Sequence, residues 1–472
     1  MAQKPYKITI GLEVHAHLLT KSKAFCSCAN KFGEEPNSLT CPVCLGMPGS
    51  LPVLNEDAFQ KAIKVALALG CKISPIVKFD RKNYFYPDLP KNYQISQYDM
   101  PVGGHGKLDD VKVLRVHMEE DAGKLVHADD RKGDYSLVDF NRTGVPLLEI
   151  VTEPDIHSAD QAYQYLTNLK AILQYLEVSD CNMQEGSLRC DANISLAPED
   201  AKELGTKTEV KNMNSFRGVK LALEYEAERI HKLLESGERV VQETRLWDET
   251  KNKTFSMRSK EEAHDYRYFP EPDLVPFTVD EKLIKQIANS IPELPQERTS
   301  RFEKEYKLSD YDSKILTSDK LLADYFENCA KLIDNFKLLA NWLIGPVMAI
   351  ANEKNITITG LGLKEKILVS LLKMIDTNKI NQQTAKAILP EVIKTGLDPE
   401  KIVAQKGLGQ ISDQGELEKI TEDVIKNNPK PVKDYKNGKT SALQFLLGQV
   451  MRLTKGKADA KLVREIVEKK LK

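Results

Sequence analysis

Two glutamates within one short stretch limit what this chain can fold into. Between Val116 and Val151 it reads VHMEEDAGKLVHADDRKGDYSLVDFNRTGVPLLEIV, and as a strand Glu120 shares the parity of Leu114, Val116 and Met118. Glu149 alternates with Leu147 and Val151 in an otherwise apolar run. A period-2 pattern turns both carboxylates toward the side that a sheet buries. An ionised carboxylate cannot be buried alone, so each must be protonated, ion-paired or bound to a metal. The same parity prefers Glu120 to its neighbour Glu119, and Glu149 to Glu153.

The surrounding sequence predicts an α+β fold with a largely antiparallel sheet. Residues 1–292 read as short alternating strands broken by Gly, Pro and Asn turns. In Lys7–Leu18, the clearest strand, Ile8, Ile10, Leu12, Val14, Ala16 and Leu18 share one face. Apolar residues at three- and four-residue spacing predict helices over Asp57–Leu69, Asp160–Leu176 and Val219–Glu235. The prolines of Ile291-Pro-Glu-Leu-Pro295 mark a boundary, and an all-α helical domain is expected over 293–404, with helical patterns at Leu321–Ile350 and Lys364–Leu389. Gly396-Leu-Asp-Pro399 and Gly407-Leu-Gly409 form a second hinge before a small helical tail domain, 405–472. No internal repeat is evident.

No apolar run approaches the roughly 20 residues of a membrane helix, and MAQKPYKITI has neither a signal-peptide core nor an Arg-rich transit helix. A cytoplasmic protein with no membrane partner is the expectation. Net charge is −1, but Lys430–Lys472 carries 12 Lys/Arg against 4 Asp/Glu. Such a tail suits a polyanion, and equally a solvated helical surface.

Of the 8 cysteines, Cys26, Cys28, Cys41 and Cys44 form a C-x-C-x₁₂-C-x₂-C array and the others are scattered. This is the pattern of a reduced protein with one closed, structural Zn²⁺ site, a redox pair being the lesser alternative. On the first strand Glu13, His15 and His17 lie opposite the apolar face, a side-by-side arrangement suited to a divalent cation. Asp191 shares a face with Arg189 and Asn193, and Glu209 lies between Lys207 and Lys211. Carboxylates and an imidazole on neighbouring strands suit Mg²⁺ and nucleotide phosphates; surface salt bridges are the competing reading. No P-loop or dinucleotide loop is present: Gly103-Gly-His-Gly-Lys107 fails the Walker spacing, and Gly360-Leu-Gly362 and Gly407-Leu-Gly409 lack a third glycine. The segments FDRKNYFYPD, YQISQY and DYRYFP interleave aromatic and basic residues, which can stack on bases, though packed turns are favoured.

With those residues in hand, the chain resembles the B subunit of the bacterial glutamyl/aspartyl-tRNA amidotransferases (GatB). The match runs through Ile10-Gly-Leu-Glu-Val-His15, FDRKNYFYPDLPK, HMEEDAGK, PLLEIVTEPD, EGSLRCDAN, EVKNMNSFR and DYRYFPEPD, and into the tail as DYKNGK and FLLGQVM. The resemblance implies a cradle-like catalytic domain over 1–292, and an ATP-dependent ligase that phosphorylates the side-chain carboxylate of misacylated Glu-tRNA(Gln) or Asp-tRNA(Asn). Ammonia would come from an amidase (glutaminase) subunit of the same complex, joined through a small bridging subunit, because this chain has no amidase signature of its own. It further implies that His15, Glu120 and Glu149 hold one Mg²⁺, and that Glu13, Asp191 and Glu209, with Lys211, complete a nucleotide-linked site. The tail would bind tRNA. The rival reading is a noncatalytic tRNA-binding scaffold with a zinc module.

Overall fold

The computed structural model describes residues 6–127, 135–259, 266–409, 414–454 and 458–471. The chain divides into two compact units, Met1–Pro295 and Gln296–Lys472. Among the described residues no helix is long and apolar enough to cross a membrane.

The first unit begins with strands β1 (Tyr6–His17), β2 (Lys72–Ile73), β3 (Ile76–Val77), β4 (Asp80–Asn83), β5 (Tyr93–Ser96), β6 (Gly103–Leu108), β7 (Val111–Glu120) and β8 (Lys124–His127). It continues with β9 (Ser136–Asp139), β10 (Pro146–Thr152), β11 (Leu188–Pro198), β12 (Thr208–Lys211), β13 (Glu243–Asp248), β14 (Lys253–Ser259), β15 (Phe269–Pro270) and β16 (Phe277–Thr278). Nine of these form one sheet in the order β14-β13-β12-β11-β1-β10-β7-β6-β2. Every pairing in it is antiparallel except β12 with β13. A smaller sheet, β15-β4-β5, stands beside it, and two two-stranded pairs, β16-β3 and β8-β9, complete the set.

The register explains how β1 serves two purposes. Val14 pairs with Ile150 and Ile150 with Val116; Ala16 pairs with Leu148 and Leu148 with Met118. Cross-strand partners share a face, so these residues form one fully buried apolar surface. Three helices cover it: α1 (Glu56–Ala68), α2 (Ala159–Tyr175) and α3 (Phe216–Glu235). Each starts at a side-chain cap, Asn55, Ser158 or Ser215, that accepts from a first-turn N–H. The glycines of β6 are packing residues: a Cβ at Gly106 would meet the Leu69 carbonyl oxygen at 2.5 Å and one at Gly103 the Ala66 Cβ at 3.2 Å, so the end of α1 packs directly on the strand.

The second unit is helical and carries two apolar clusters, one drawn from residues 302–403 and one from 417–471. The pattern over Leu321–Ile350 resolves into Lys320–Ala330 and Phe336–Trp342, followed by a π-turn at Leu343–Val347 and the helix Met348–Glu353. Asn335 caps the second helix, and Pro346, which has no N–H to donate, sits inside the π-turn. The pattern over Lys364–Leu389 likewise splits into Glu365–Asp376 and Gln382–Thr395, with Asn378 at positive φ and Asn381 as the new cap.

Candidate active site

The opposite face of the large sheet is polar in its middle. His15 pairs with Glu149 and Arg189, and Glu149 with His117; Glu13 pairs with Asp191, and Leu147 with both His17 and Glu119. Because β10 lies mid-sheet, this face is also covered, so Glu149, His117 and Glu119 are 4%, 3% and 2% exposed. The cover is the small sheet: Gln94 donates to Glu119 Oε2 at 2.8 Å, Ser96 donates to Glu119 Oε1 at 2.5 Å, and Lys82 lies 3.9 Å from Glu119. Between the two sheets is a cleft of 510 Å³ lined by Glu13, His15, Lys82, Arg115, His117, Glu119, Asp121, Arg142, Glu149, Arg189, Asp191, Glu209 and Lys211, with Tyr84, Tyr98, Tyr266 and Tyr268 among its walls.

Glu149 is the hub. Its Oε2 lies 3.4 Å from His15 Nε2 and 3.3 Å from His117 Nε2, and Arg115 approaches its Oε1 at 3.8 Å. His15 also lies 3.6 Å from Glu13, and His117 3.2 Å from Glu119. Two candidate ligand sets result, Glu13–His15–Glu149 and His117–Glu119–Glu149, each with donor atoms within 4.8 Å of one another. Ligands of an octahedral ion at about 2.1 Å lie about 3.0–4.2 Å apart, so either set fits a divalent cation. Carboxylate oxygens supplemented by imidazole match Mg²⁺ or Mn²⁺ better than a soft metal.

The charges sustain one another. Burial opposes ionisation of Glu149, but His117 and His15 hold its carboxyl well below the usual range. Burial likewise opposes charge on His117, yet Glu149 and Glu119 raise it to about 9. Burial again works against Glu119, which Lys82 and His117 lower to about 2. Glu13 is raised, first by burial and then by the charge of Glu149. Asp121 is depressed despite burial, chiefly by Arg189 at 2.9 Å and His17 at 2.6 Å. Lys211 contacts both Asp191 and, at 3.3 Å, Glu209, which also accepts from Thr244 at 2.8 Å.

Glu120 is not in this cleft. Its core-face parity is as read, but that face is not where the other candidate ligands meet. Lys91, itself buried, pairs with Glu120, which also accepts from the Ile95 N–H at 3.0 Å. Lys91 supplies the counter-charge that burial demands at this position. Glu119, which parity ranks below Glu120, and His117, which the sequence reading does not single out, both line the cleft. The alternation His117, Glu119, Asp121 in HMEED carried the signal, since three polar side chains of one parity facing β10 define a polar row. Glu13 groups with His15 and Glu149; among the described residues it forms no comparable set with Asp191 and Glu209.

A family model described as the GatB/GatE catalytic domain matches residues 8–285, and one described as the GatB domain matches residues 324–471. The chain belongs to the GatB/GatE family. It is 54% identical over 477 residues to the B subunit of the aspartyl/glutamyl-tRNA(Asn/Gln) amidotransferase of Caldicellulosiruptor bescii, with 99% of each chain covered. The proteins of the same name from Thermoanaerobacter pseudethanolicus and Moorella thermoacetica are 54% and 51% identical, each over 474 residues and 99% of this chain. The first family model spans every cleft residue named above.

This GatB/GatE chain also brings its four clustered cysteines together. The Sγ atoms of Cys26, Cys28, Cys41 and Cys44 lie within 4.8 Å of one another. A tetrahedral Zn–S distance of about 2.3 Å places sulfurs about 3.8 Å apart, so the set fits one zinc ion. The Cys41 N–H donates to Cys44 Sγ at 3.1 Å, and buried Lys23 approaches the same sulfur at 3.9 Å. The Cys26–Cys44 hydrogen bond leads the causes that lower the Cys44 thiol to about 5 and those that raise the Cys26 thiol, so the two sulfurs share one proton. Asn37 and Asn141 tie this module to β9 and the turn after it. The aromatic segments expected to be packed turns instead supply cleft walls, with Lys82 over Tyr266 at 5.1 Å and Tyr98 stacked on Tyr268 at 4.6 Å. Asp265 of the last segment lies outside the described residues.

Proposed function

We propose that the chain is the B subunit of an aspartyl/glutamyl-tRNA(Asn/Gln) amidotransferase and that the cleft is its kinase-transamidase site. The observation that carries this reading is the polar row Glu13, His15, Glu149, His117 and Glu119 on a covered sheet face, ringed by Lys82, Arg115, Arg189 and Lys211. A scaffold has no use for such a row, because burying these charges is costly unless they bind something.

A free carboxylate is a poor acylating agent. In the first step an oxygen of the tRNA-bound Glu or Asp side chain attacks the γ-phosphorus of ATP; the P–O bond to the β-phosphate breaks and ADP leaves. In the second step ammonia attacks the acyl-phosphate carbon and inorganic phosphate departs, giving the amide. Mg²⁺, held at Glu149 with His15 and Glu13 on one side and His117 and Glu119 on the other, would neutralise the charge crowded at the transferring phosphoryl group. Arg115, Arg189, Lys82 and Lys211 bind and orient phosphate oxygens. The small sheet excludes water from the acyl phosphate, which would otherwise hydrolyse. Asp191, Glu209 and Lys211 form the nucleotide side of the cleft. Residues 405–472 bind tRNA through their basic excess, and a glutamine-hydrolysing amidase subunit with a small bridging subunit supplies ammonia. Zn²⁺ holds the cysteine module, and the complex works in the cytoplasm.

The test is an assay of the purified complex with ATP, glutamine and each misacylated tRNA. Amidation that needs ATP and is lost in Glu149→Gln while tRNA affinity stays within a few-fold supports the reading; full amidation in that variant refutes it.

A further inference from the structure

The segments that wall the cleft carry exposed aromatic residues that phosphoryl transfer does not use. Tyr98 lines the cleft yet is 63% exposed, with one ring face against Tyr268 at 4.6 Å and an interplanar angle of 18°. Next to the cleft-lining Tyr84, Phe85 is 70% exposed, with the Arg267 guanidinium over its ring at 5.6 Å. The two segments are tied together: the Asn83 N–H donates to the Tyr266 carbonyl at 2.9 Å and its side-chain amide to the Arg267 carbonyl at 2.8 Å. Leaving such rings in water loses burial without any structural return, and π-faces beside a guanidinium are what unstacked nucleobases bind.

Covalent geometry selects the occupant. The reacting carboxylate is only a few bonds from the ester that joins it to the terminal ribose. If the carboxylate reaches the floor near Glu149, the last nucleotides of the RNA must therefore lie at the mouth, while the phosphates of ATP occupy the charged interior. We propose that Tyr98, supported by Tyr268, and Phe85, supported by Arg267, form the platform on which the unpaired 3′-terminal bases of the tRNA stack. This rests on the transamidase reading and adds a base-binding site on which the chemistry does not itself depend.

Two measurements on the complex test it. Binding of tRNA carrying 2-aminopurine at its 3′-terminal position should quench the fluorophore by stacking, and Phe85→Ala with Tyr98→Ala should abolish that quenching. Each exchange alone should raise KM for misacylated tRNA roughly 5- to 150-fold, the range of one lost base–aromatic stack, with kcat and KM for ATP nearly unchanged. Phe85→Trp and Tyr98→Phe should restore both signals, which separates stacking from a fold effect. Undiminished quenching in the double variant overturns the proposal, as does a rise confined to KM for ATP, which would assign the rings to the adenine of ATP. Absence of amidation by the wild-type complex with quenching intact would remove the transamidase reading and leave the platform standing.

Discussion

The two faces of β7 differ by one residue step and by everything that follows from it. Arg115, His117 and Glu119 face the cleft, opposite Val151, Glu149 and Leu147 of β10; Val116, Met118 and Glu120 have the other parity. Glu119 and Glu120 are equally buried, at 2% exposure. Glu119 is held by Gln94, Ser96 and His117 in a cleft open to ligands, whereas Glu120 is closed off by Lys91 and a backbone N–H. Burial alone therefore does not tell the two carboxylates apart. What distinguishes the two is the place each occupies: Glu119, held ionised by Lys82 and His117, lines the cleft, whereas Glu120 pairs with Lys91 outside it.

The largest effects should fall on the cleft face. Glu119→Gln and Glu149→Gln should each reduce ATP-dependent amidation per folded molecule at least about 10³-fold, as expected for electrostatic stabilisation of a phosphoryl transfer. On the other face, Glu120→Ala strands the Lys91 ammonium and should destabilise the first unit by about 3–5 kcal/mol, read as a lowered denaturation midpoint, while amidation per folded molecule survives. Reversed outcomes for the two neighbours would break the comparison.

Asp121 sharpens it through pH. Its carboxyl is depressed in the folded state, so its stabilising contribution is complete above its unfolded pKa of about 3.9 and is lost as pH falls toward the folded value. Asp121→Asn should cost about 3 kcal/mol at pH 7, and the gap from wild type in urea titrations should narrow below about pH 4. A gap that stays constant into acid would contradict the ion-pair account. The smallest effect concerns the cysteine module. Cys44→Ser, which breaks the proposed zinc set, should cost about 2 kcal/mol, or roughly 5 °C in Tm, and should leave Mn²⁺ binding in the cleft intact.

Much of this was legible in the sequence because local patterns coincide with tertiary roles. The alternation in β1, the helices α1, α2 and α3 with their Asn or Ser caps, and the C-x-C-x₁₂-C-x₂-C array each state their structure within a few residues. The helical region was read too continuously, because apolar spacing alone does not register a cap at Asn335 or Asn381. The alternation His117, Glu119, Asp121 places Glu119 in a polar row, but the sequence does not show that this row, and not the face of Glu120, lines the cleft. Parity assigns a residue to a face but not the neighbours of that face, and here both faces of a central strand are covered. Lys91 lies 29 residues from Glu120, and only the folded sheet brings them together.

The most direct test of the central claim is Mn²⁺ binding, followed by electron paramagnetic resonance, in the wild-type protein and in Glu149→Gln, Glu119→Gln and Glu120→Gln. The account predicts that wild type and Glu120→Gln bind the ion with similar affinity while the two cleft-face variants lose it by tenfold or more. Loss of the ion in Glu120→Gln, with retention in Glu119→Gln, would contradict it.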